Sequence, residues 1–246
     1  MKKIFIDHNN CKIGDCVLIT GNDYYHLVKA YRVKKKEGFI IGDKTNKEFY
    51  GEIEKIEKNK IRIIMKEYYK RDIKKRPIVT LFFSILKGDK NELIIQKCTE
   101  IGIDRFVPVK TKNSIPEINN LNNKLLRWKK IIKEASMQAG REKIPDLNDV
   151  ILFENIFNYS YNINEKKFFG YISEKGKDLF NVIQEYKDLD FISLFVGPEG
   201  DLSKEEIILL EKNKWEGVYL SPYIFKSETA AIYLSSIIFF NYCKLS

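Results

Sequence analysis

Two short stretches in the last third of the chain combine residue types that can build a ligand pocket. The first, GPEG at 197–200, directly follows an apolar strand, FISLFVG (191–197), and precedes a helix opened by Ser203 and Glu206. Its glycines let backbone groups approach a ligand closely, and Pro198 stiffens the turn. The second, LSPYIFKSETAA at 220–231, again joins a strand to a helix. Ser227 is placed to cap that helix, with Glu228 and Thr229 in its first turn. Two consecutive βα loops of this design can form two walls of one pocket. The same residues also read as tight turns with helix caps and nothing more, and residue type alone leaves both readings open.

The chemistry of such a pocket is bounded by the motifs the sequence lacks. No GxGxxG follows a strand, and no GxSxG or HExxH occurs. The nearest approach to a phosphate loop, Gly170 to Lys177, has the wrong spacing and is followed by Asp178. Cys11, Cys16, Cys98 and Cys243 form no CxxC pair, and His8 and His26 are the only imidazoles. No metal site and no disulfide framework is therefore expected. Common hydrolase, NTPase and zinc chemistries fall away.

A second set of residues is suited to nucleic acid. Lys2, Lys3, Lys29, Arg32, Lys34, Lys35 and Lys36 lie among Tyr24, Tyr25 and Tyr31. Cations neutralise phosphates, and aromatic faces stack bases. A solvated barrel face is the bland alternative. The formal charge of +9 is unevenly spread: residues 1–76 hold 20 Lys/Arg against 11 Asp/Glu, and the remainder holds 23 of each. One end of the molecule thus carries the whole excess, which favours an acidic partner.

These residues need elements to position them. Residues 1–70 break into short strand-like pieces, KIFI, DCVLIT, GFIIGD, EFYGEIEKI and KIRIIMKEYY, punctuated by glycines, the pattern of a small β-barrel. The basic, proline-ended stretch at 71–77 reads as a linker. From 78 to 246 strands and helices alternate: strands at 78–86, 106–109, 167–172, 191–197 and 217–221, and helices at 91–101, 121–139, about 178–186, from Ser203 to about Asn213, and from Ser227. Continuously apolar strands in such alternation imply an open parallel sheet covered on both faces, with ligands held where strands end and loops begin. Met1 leads straight into a strand, and the apolar run Ala230–Cys243 is shorter than the roughly 20 residues a bilayer span needs. A cytoplasmic protein without membrane attachment is the expectation.

VGPEGDLSKEE and LSPYIFKSETAA resemble the signature segments of the RsmE family, SPOUT-superfamily enzymes that methylate N3 of a uridine in 16S ribosomal RNA. Three further segments agree in order and placement: HLVKAYRVKKKEG (26–38), KGDKNELIIQKCTEIGIDRFVPV (87–109) and RWKKIIKEASMQAGREKIP (127–145). The resemblance covers nearly the whole chain. It implies an α/β fold: an N-terminal PUA-like β-barrel that binds RNA (1–70), and a C-terminal SPOUT methyltransferase domain (78–246) threaded into a trefoil knot. It also implies S-adenosyl-L-methionine as cofactor, S-adenosyl-L-homocysteine as product, no metal, a homodimer, and 16S rRNA or the small ribosomal subunit as partner.

Carried over residue by residue, the resemblance places Gly197, Glu199 and Gly200 in one cofactor-binding loop. Leu220, Ser221, Phe225, Ser227, Glu228, Thr229 and Ala230 form the other walls. Lys2, Lys3, His26, Arg32, Lys34, Lys97, Gln138 and Arg141 are the expected RNA-binding residues. Uridine N3 carries a proton it must lose, so catalysis needs alignment and either a base or a cation that stabilises the uridine anion. Arg141 is the candidate cation, and Glu199 or Glu228 the candidate base. The target base must be unpaired or extruded, because pairing hides N3.

The sequence departs from the family pattern at Asp201 and Ser221, where glycine is frequent, at Tyr223 and Lys226, where arginine is frequent, and at Ser227, where threonine is. Lys226 keeps the charge without arginine's bidentate fork. Two other readings fit the same residues: methylation of a ribose 2′-hydroxyl or another base by a related enzyme, and a catalytically silent RNA-binding assembly factor.

Overall fold

The structure is a computed structural model and describes residues 2–30, 32–70, 76–114, 121–159, 164–171, 176–186 and 189–242, without the side chains of His26 and Ala30. Residues 71–75 of the expected linker, Tyr31 and Cys243 lie outside the described residues. The chain divides into two compact units, Met1–Ile73 with Ser136–Lys143, and Lys74–Ala135 with Ile144–Ser246.

The first unit is built on a five-stranded mixed sheet. Its elements are β1 (Lys3–Phe5), β2 (Cys16–Thr20), α1 (Gly21–Tyr25), a π-helical turn at His26–Ala30, β3 (Gly38–Gly42), β4 (Glu48–Glu57) and β5 (Lys60–Tyr68). The order is β1-β3-β4-β5-β2, with β1 parallel to β3 and the other pairs antiparallel. Strict alternation in β2 turns Val17 and Ile19 inward, and β5 does the same with Ile61, Ile63 and Met65. They meet Phe39, Ile41, Phe49 and Ile53 in one core. The helical stretch at 21–30, absent from the sequence reading, delivers Leu27 to this core, and Met137 of the Ser136–Lys143 segment also enters it.

The second unit is a layered α/β structure. Its elements are β6 (Ile78–Ser84), α2 (Lys90–Ile101), β7 (Arg105–Lys110), α3 (Leu121–Gln138), β8 (Asp146–Leu147), β9 (Ile151–Leu152), β10 (Glu165–Tyr171), β11 (Lys177–Asp178), α4 (Leu179–Glu185), β12 (Phe191–Val196), α5 (Lys204–Lys212), β13 (Glu216–Tyr219) and α6 (Ser227–Tyr242). Every strand pairing is parallel. The order is β11-β13-β10-β12-β6-β7-β8, with β9 also on β7.

Burial on both faces explains why these strands read as unbroken apolar runs. In β6, Leu81 and Phe83 join the core made with α2 and α6, while Phe82 faces the opposite core with Phe195 and Trp215. Phe82, Phe83, Phe106, Phe168, Phe169 and Phe195 are fully buried, each stabilising the unit by about 1.5–3 kcal/mol relative to exposure. Local signals place the helix starts. Ser203 and Glu206 close a capping box on α5, and the Asp178 side chain accepts the Asn181 amide to start α4. Asn91 ties the end of β6 to α2: its Oδ1 accepts from the Leu86 N–H (2.9 Å) and its Nδ2 donates to the Ser84 carbonyl (2.9 Å). α6 begins at Ser227 itself, with the Ala230 N–H bonded to the Lys226 carbonyl, so Lys226 rather than Ser227 stands at the cap position.

Candidate active site

The strand order places the C-terminal ends of β13, β10 and β12 side by side. A cleft of about 590 Å³, open to solvent, lies over those three ends. β10 contributes Gly170 and Tyr171, the end of β12 and the turn after it contribute Val196, Gly197, Pro198 and Asp201, the end of β13 and its following loop contribute Tyr219 through Phe225, and α6 contributes Ser227 and Ala230. This is where open α/β sheets hold ligands.

The GPEG turn is held from outside the cleft. The Asp201 N–H bonds to the Pro198 carbonyl (3.0 Å). Asp201 adopts the left-handed conformation (φ 59°), which aspartate tolerates better than most residues, and its Oδ1 accepts from the Leu202 N–H (2.8 Å). Gly197 is needed for close packing, since a Cβ there would lie 3.1 Å from Leu202 Cγ. Glu199 pairs with Lys90, at 2.7 Å, and is not among the residues that line the cleft. Partial burial pushes its carboxyl up, but hydrogen bonds from Lys90 and from the Lys87 backbone outweigh this and hold it below the ordinary 4.5. The same contact raises Lys90.

The loop after β13 is ordered partly by Ser221, whose hydroxyl accepts from the Tyr223 N–H (3.1 Å). Phe225 packs edge-on to Tyr233, with ring centroids 5.1 Å apart. Tyr223 and Ile224 stand on the rim, each 79% exposed. Glu228 lies in the first turn of α6; its Oε2 is buried with no hydrogen-bond partner among the described residues.

Of the expected cofactor residues, the structure gathers Gly197, Leu220, Ser221, Phe225, Ser227 and Ala230 in the cleft wall. Glu199, Gly200, Glu228 and Thr229 are not among the residues that line it. Gly170, Tyr171, Val196, Pro198, Asp201, Tyr219, Pro222, Tyr223 and Ile224 also line the cleft and are not in the expected set. The strand KFFGYI was legible, but its adjacency to β12 and β13 depends on strand order, which carries no local signal.

The expected RNA-binding residues separate. Arg32 and Lys34 are exposed in the first unit, and Lys2 pairs with Glu37 at 2.7 Å. The His26 side chain lies outside the described residues. Gln138 is exposed and Arg141 half-buried, and both group with the first unit. Lys97, in the second unit, pairs with Glu100 one helical turn away (2.9 Å). Lys3 requires a correction: it is fully buried and cannot grip RNA. Its ammonium donates to the Glu48 carboxylate and to the backbone carbonyls of Arg141 and Glu142, and lies 4.5 Å from the Phe5 ring centroid. Three donors thus find three acceptors, which makes burial of the charge tolerable.

Among the described residues, no group of three or more His, Cys, Asp or Glu side chains is placed to hold a metal, and no helix is long and apolar enough to cross a membrane.

Comparison with known proteins places this architecture. Residues 74–239 match the family described as "RNA methyltransferase domain", and residues 19–66 match "RNA methyltransferase PUA domain". The chain is 29% identical over 236 residues to ribosomal RNA small subunit methyltransferase E 2 of Borreliella burgdorferi, covering 95% of this chain and 94% of that protein. It is 32% identical over 209 residues to ribosomal RNA small subunit methyltransferase E of Mesomycoplasma hyopneumoniae, covering 84% and 87%. The crystal structure of a ribosomal RNA small subunit methyltransferase E from Neisseria gonorrhoeae bound to S-adenosyl methionine shares the fold, with a TM-score of 0.87, 22% identity and 98% of each chain covered. On the extent of these matches across both units, the chain belongs to the ribosomal RNA small subunit methyltransferase E family.

Proposed function

We propose that this protein methylates N3 of a uridine in 16S ribosomal RNA, with S-adenosylmethionine as methyl donor. The observation that carries this reading is the cleft over β13, β10 and β12, walled by the GPEG turn and the LSPYIFKS loop in a chain of this family. The walls suit the cofactor. Leu220, Ile224, Phe225 and Ala230 offer apolar surface for a purine, Ser221, Ser227 and Tyr171 offer polar groups, and Gly170 and Gly197 leave backbone open to a ligand. The cofactor, when bound, supplies a methyl group activated by its sulfonium.

The chain's own residues supply alignment and charge. The turn and loop position the donor, and the basic first unit, with Arg32 and Lys34 exposed, grips the RNA. Arg141 is proposed to stabilise the uridine anion. Glu199, bound to Lys90, serves to fix the turn. Glu228 keeps the role of proton acceptor in this reading, because its buried Oε2 retains an unfilled acceptor position. The trefoil threading of the second unit belongs to the proposal, as do action in the cytoplasm and a homodimer. Exposed Phe240 and Tyr233 on α6 support the dimer, which sedimentation velocity tests.

Primer extension on small-subunit RNA tests the reaction. N3 methylation blocks base pairing, so RNA from cells with the protein should stop the polymerase at one uridine, and RNA from cells lacking it should not. Nucleoside mass spectrometry finding the methyl group on a ribose or another base would overturn the assignment.

A further inference from the structure

We infer that Asn113 is a positioning residue for the cofactor cleft: it holds the Gly197–Asp201 turn in the shape that forms one wall. This rests on the reading of that cleft as the S-adenosylmethionine site.

The Gly197–Asp201 turn is closed by the bond from the Asp201 N–H to the Pro198 carbonyl and includes a left-handed aspartate. Two backbone carbonyls on it, those of Gly200 and Asp201, accept from the side-chain amide of Asn113, at 3.1 and 2.9 Å. One –NH2 group thus satisfies two neighbouring carbonyls, matching its two donors. The packing is close as well, since a Cβ on Gly200 would lie 3.4 Å from Asn113 Cβ.

Asn113 is itself mounted on a braced turn after β7. The Thr111 N–H donates to Ser114 Oγ (3.0 Å), the Ser114 N–H to the Thr111 carbonyl (3.1 Å), and the two buried hydroxyls bond each other (2.6 Å). The adjoining Lys112 N–H donates to Glu206 Oε1 (2.8 Å), whose other oxygen accepts the Ser203 N–H in the α5 capping box. The β7 turn therefore latches the β12–α5 connection at two points, across the intervening β6. Asn113 is exposed and lines no part of the cleft, so its contribution to ligand binding is through the turn.

Asn113→Asp is the discriminating variant, because it keeps the shape and replaces the two donors with an acceptor facing two carbonyls. Calorimetric titration with S-adenosylmethionine is expected to show a Kd raised about tenfold, the size of one or two lost hydrogen bonds. Thermal midpoint should fall by no more than about 2–4 °C, and RNA affinity should stay at the wild-type value. Hydrogen exchange at the amides of Asp201 and Leu202 should quicken in the protein without cofactor, a readout independent of the ligand. Wild-type titration and wild-type exchange in the variant would overturn the inference. So would a loss of cofactor affinity matched by equal losses in thermal midpoint and RNA binding, which would mark general destabilisation. If the wild-type protein itself fails to bind S-adenosylmethionine, the reading of the cleft falls first and this inference with it.

Discussion

The buried ammonium of Lys3 donates to the backbone carbonyl of Arg141, a residue 138 positions away. With Glu48 and the Glu142 carbonyl, this bond fastens the segment that carries Gln138 and Arg141 to the first unit's sheet. Lys3→Met would remove the ammonium that pairs with the buried Glu48 carboxylate, and breaking such a buried pair costs about 3–5 kcal/mol. Lys3→Met combined with Glu48→Met should recover much of that loss. Urea unfolding of the single and double variants measures both values. A single variant as stable as wild type would deny the buried pair its structural role.

Gly197→Val is expected to abolish S-adenosylmethionine binding while leaving the protein folded. The new side chain meets Leu202 on one side and the cleft on the other, and such overpacking costs about 1–3 kcal/mol of stability. Calorimetric titration reads the first effect and thermal melting the second. An isotherm identical to wild type would remove Gly197 from the cofactor wall.

Arg32 is exposed at a left-handed backbone position in the basic unit. Arg32→Ala should weaken RNA binding roughly evenly across sequences and lower the slope of log K against log salt by about 1, as loss of one phosphate contact requires. Filter binding over a salt series decides this; an unaltered slope would take Arg32 off the RNA surface.

The Lys90–Glu199 pair carries a defined pH dependence. Glu199 is held below its ordinary 4.5, so its contribution is present above that value and is lost as pH falls through the lower folded value. Lys90 is held above its ordinary 10.5, so its contribution is present below that value and is lost as pH rises past it. The difference in thermal midpoint between wild type and Lys90→Met should therefore be level between 4.5 and 10.5 and shrink on either side. A difference that grows in acid would contradict the pairing.

Glu228→Gln should lower kcat by about 10²–10⁴, the usual contribution of a general base, with S-adenosylmethionine affinity little changed. Single-turnover methylation separates the chemical step from binding. Full activity in this variant would leave the N3 proton to another acceptor.

Features that depend on a few consecutive residues were legible before the fold was known. The Ser203–Glu206 capping box needs only four positions, and the apolar strand at 191–197 needs only its own composition. The glycine turn at 197–200 and the loop at 220–231 announce themselves as strand-to-helix joints for the same reason. Their resemblance to one family's segments identified the chemistry, which no local rule could do. What lay beyond the sequence is what depends on partners far along the chain. Gly170 and Tyr171 join the cleft because β10 lies between β12 and β13, and the order of strands has no local signal. β8, β9 and β11 are two-residue strands that exist through pairing alone. Lys3 reads as a surface cation beside Lys2, yet the backbone carbonyls of Arg141 and Glu142 and the carboxylate of Glu48 make burial of its charge tolerable. Local propensity and patterning decide where a strand ends and a helix starts; which ends share a cleft, and which charge can be taken out of water, is decided only when distant segments pack.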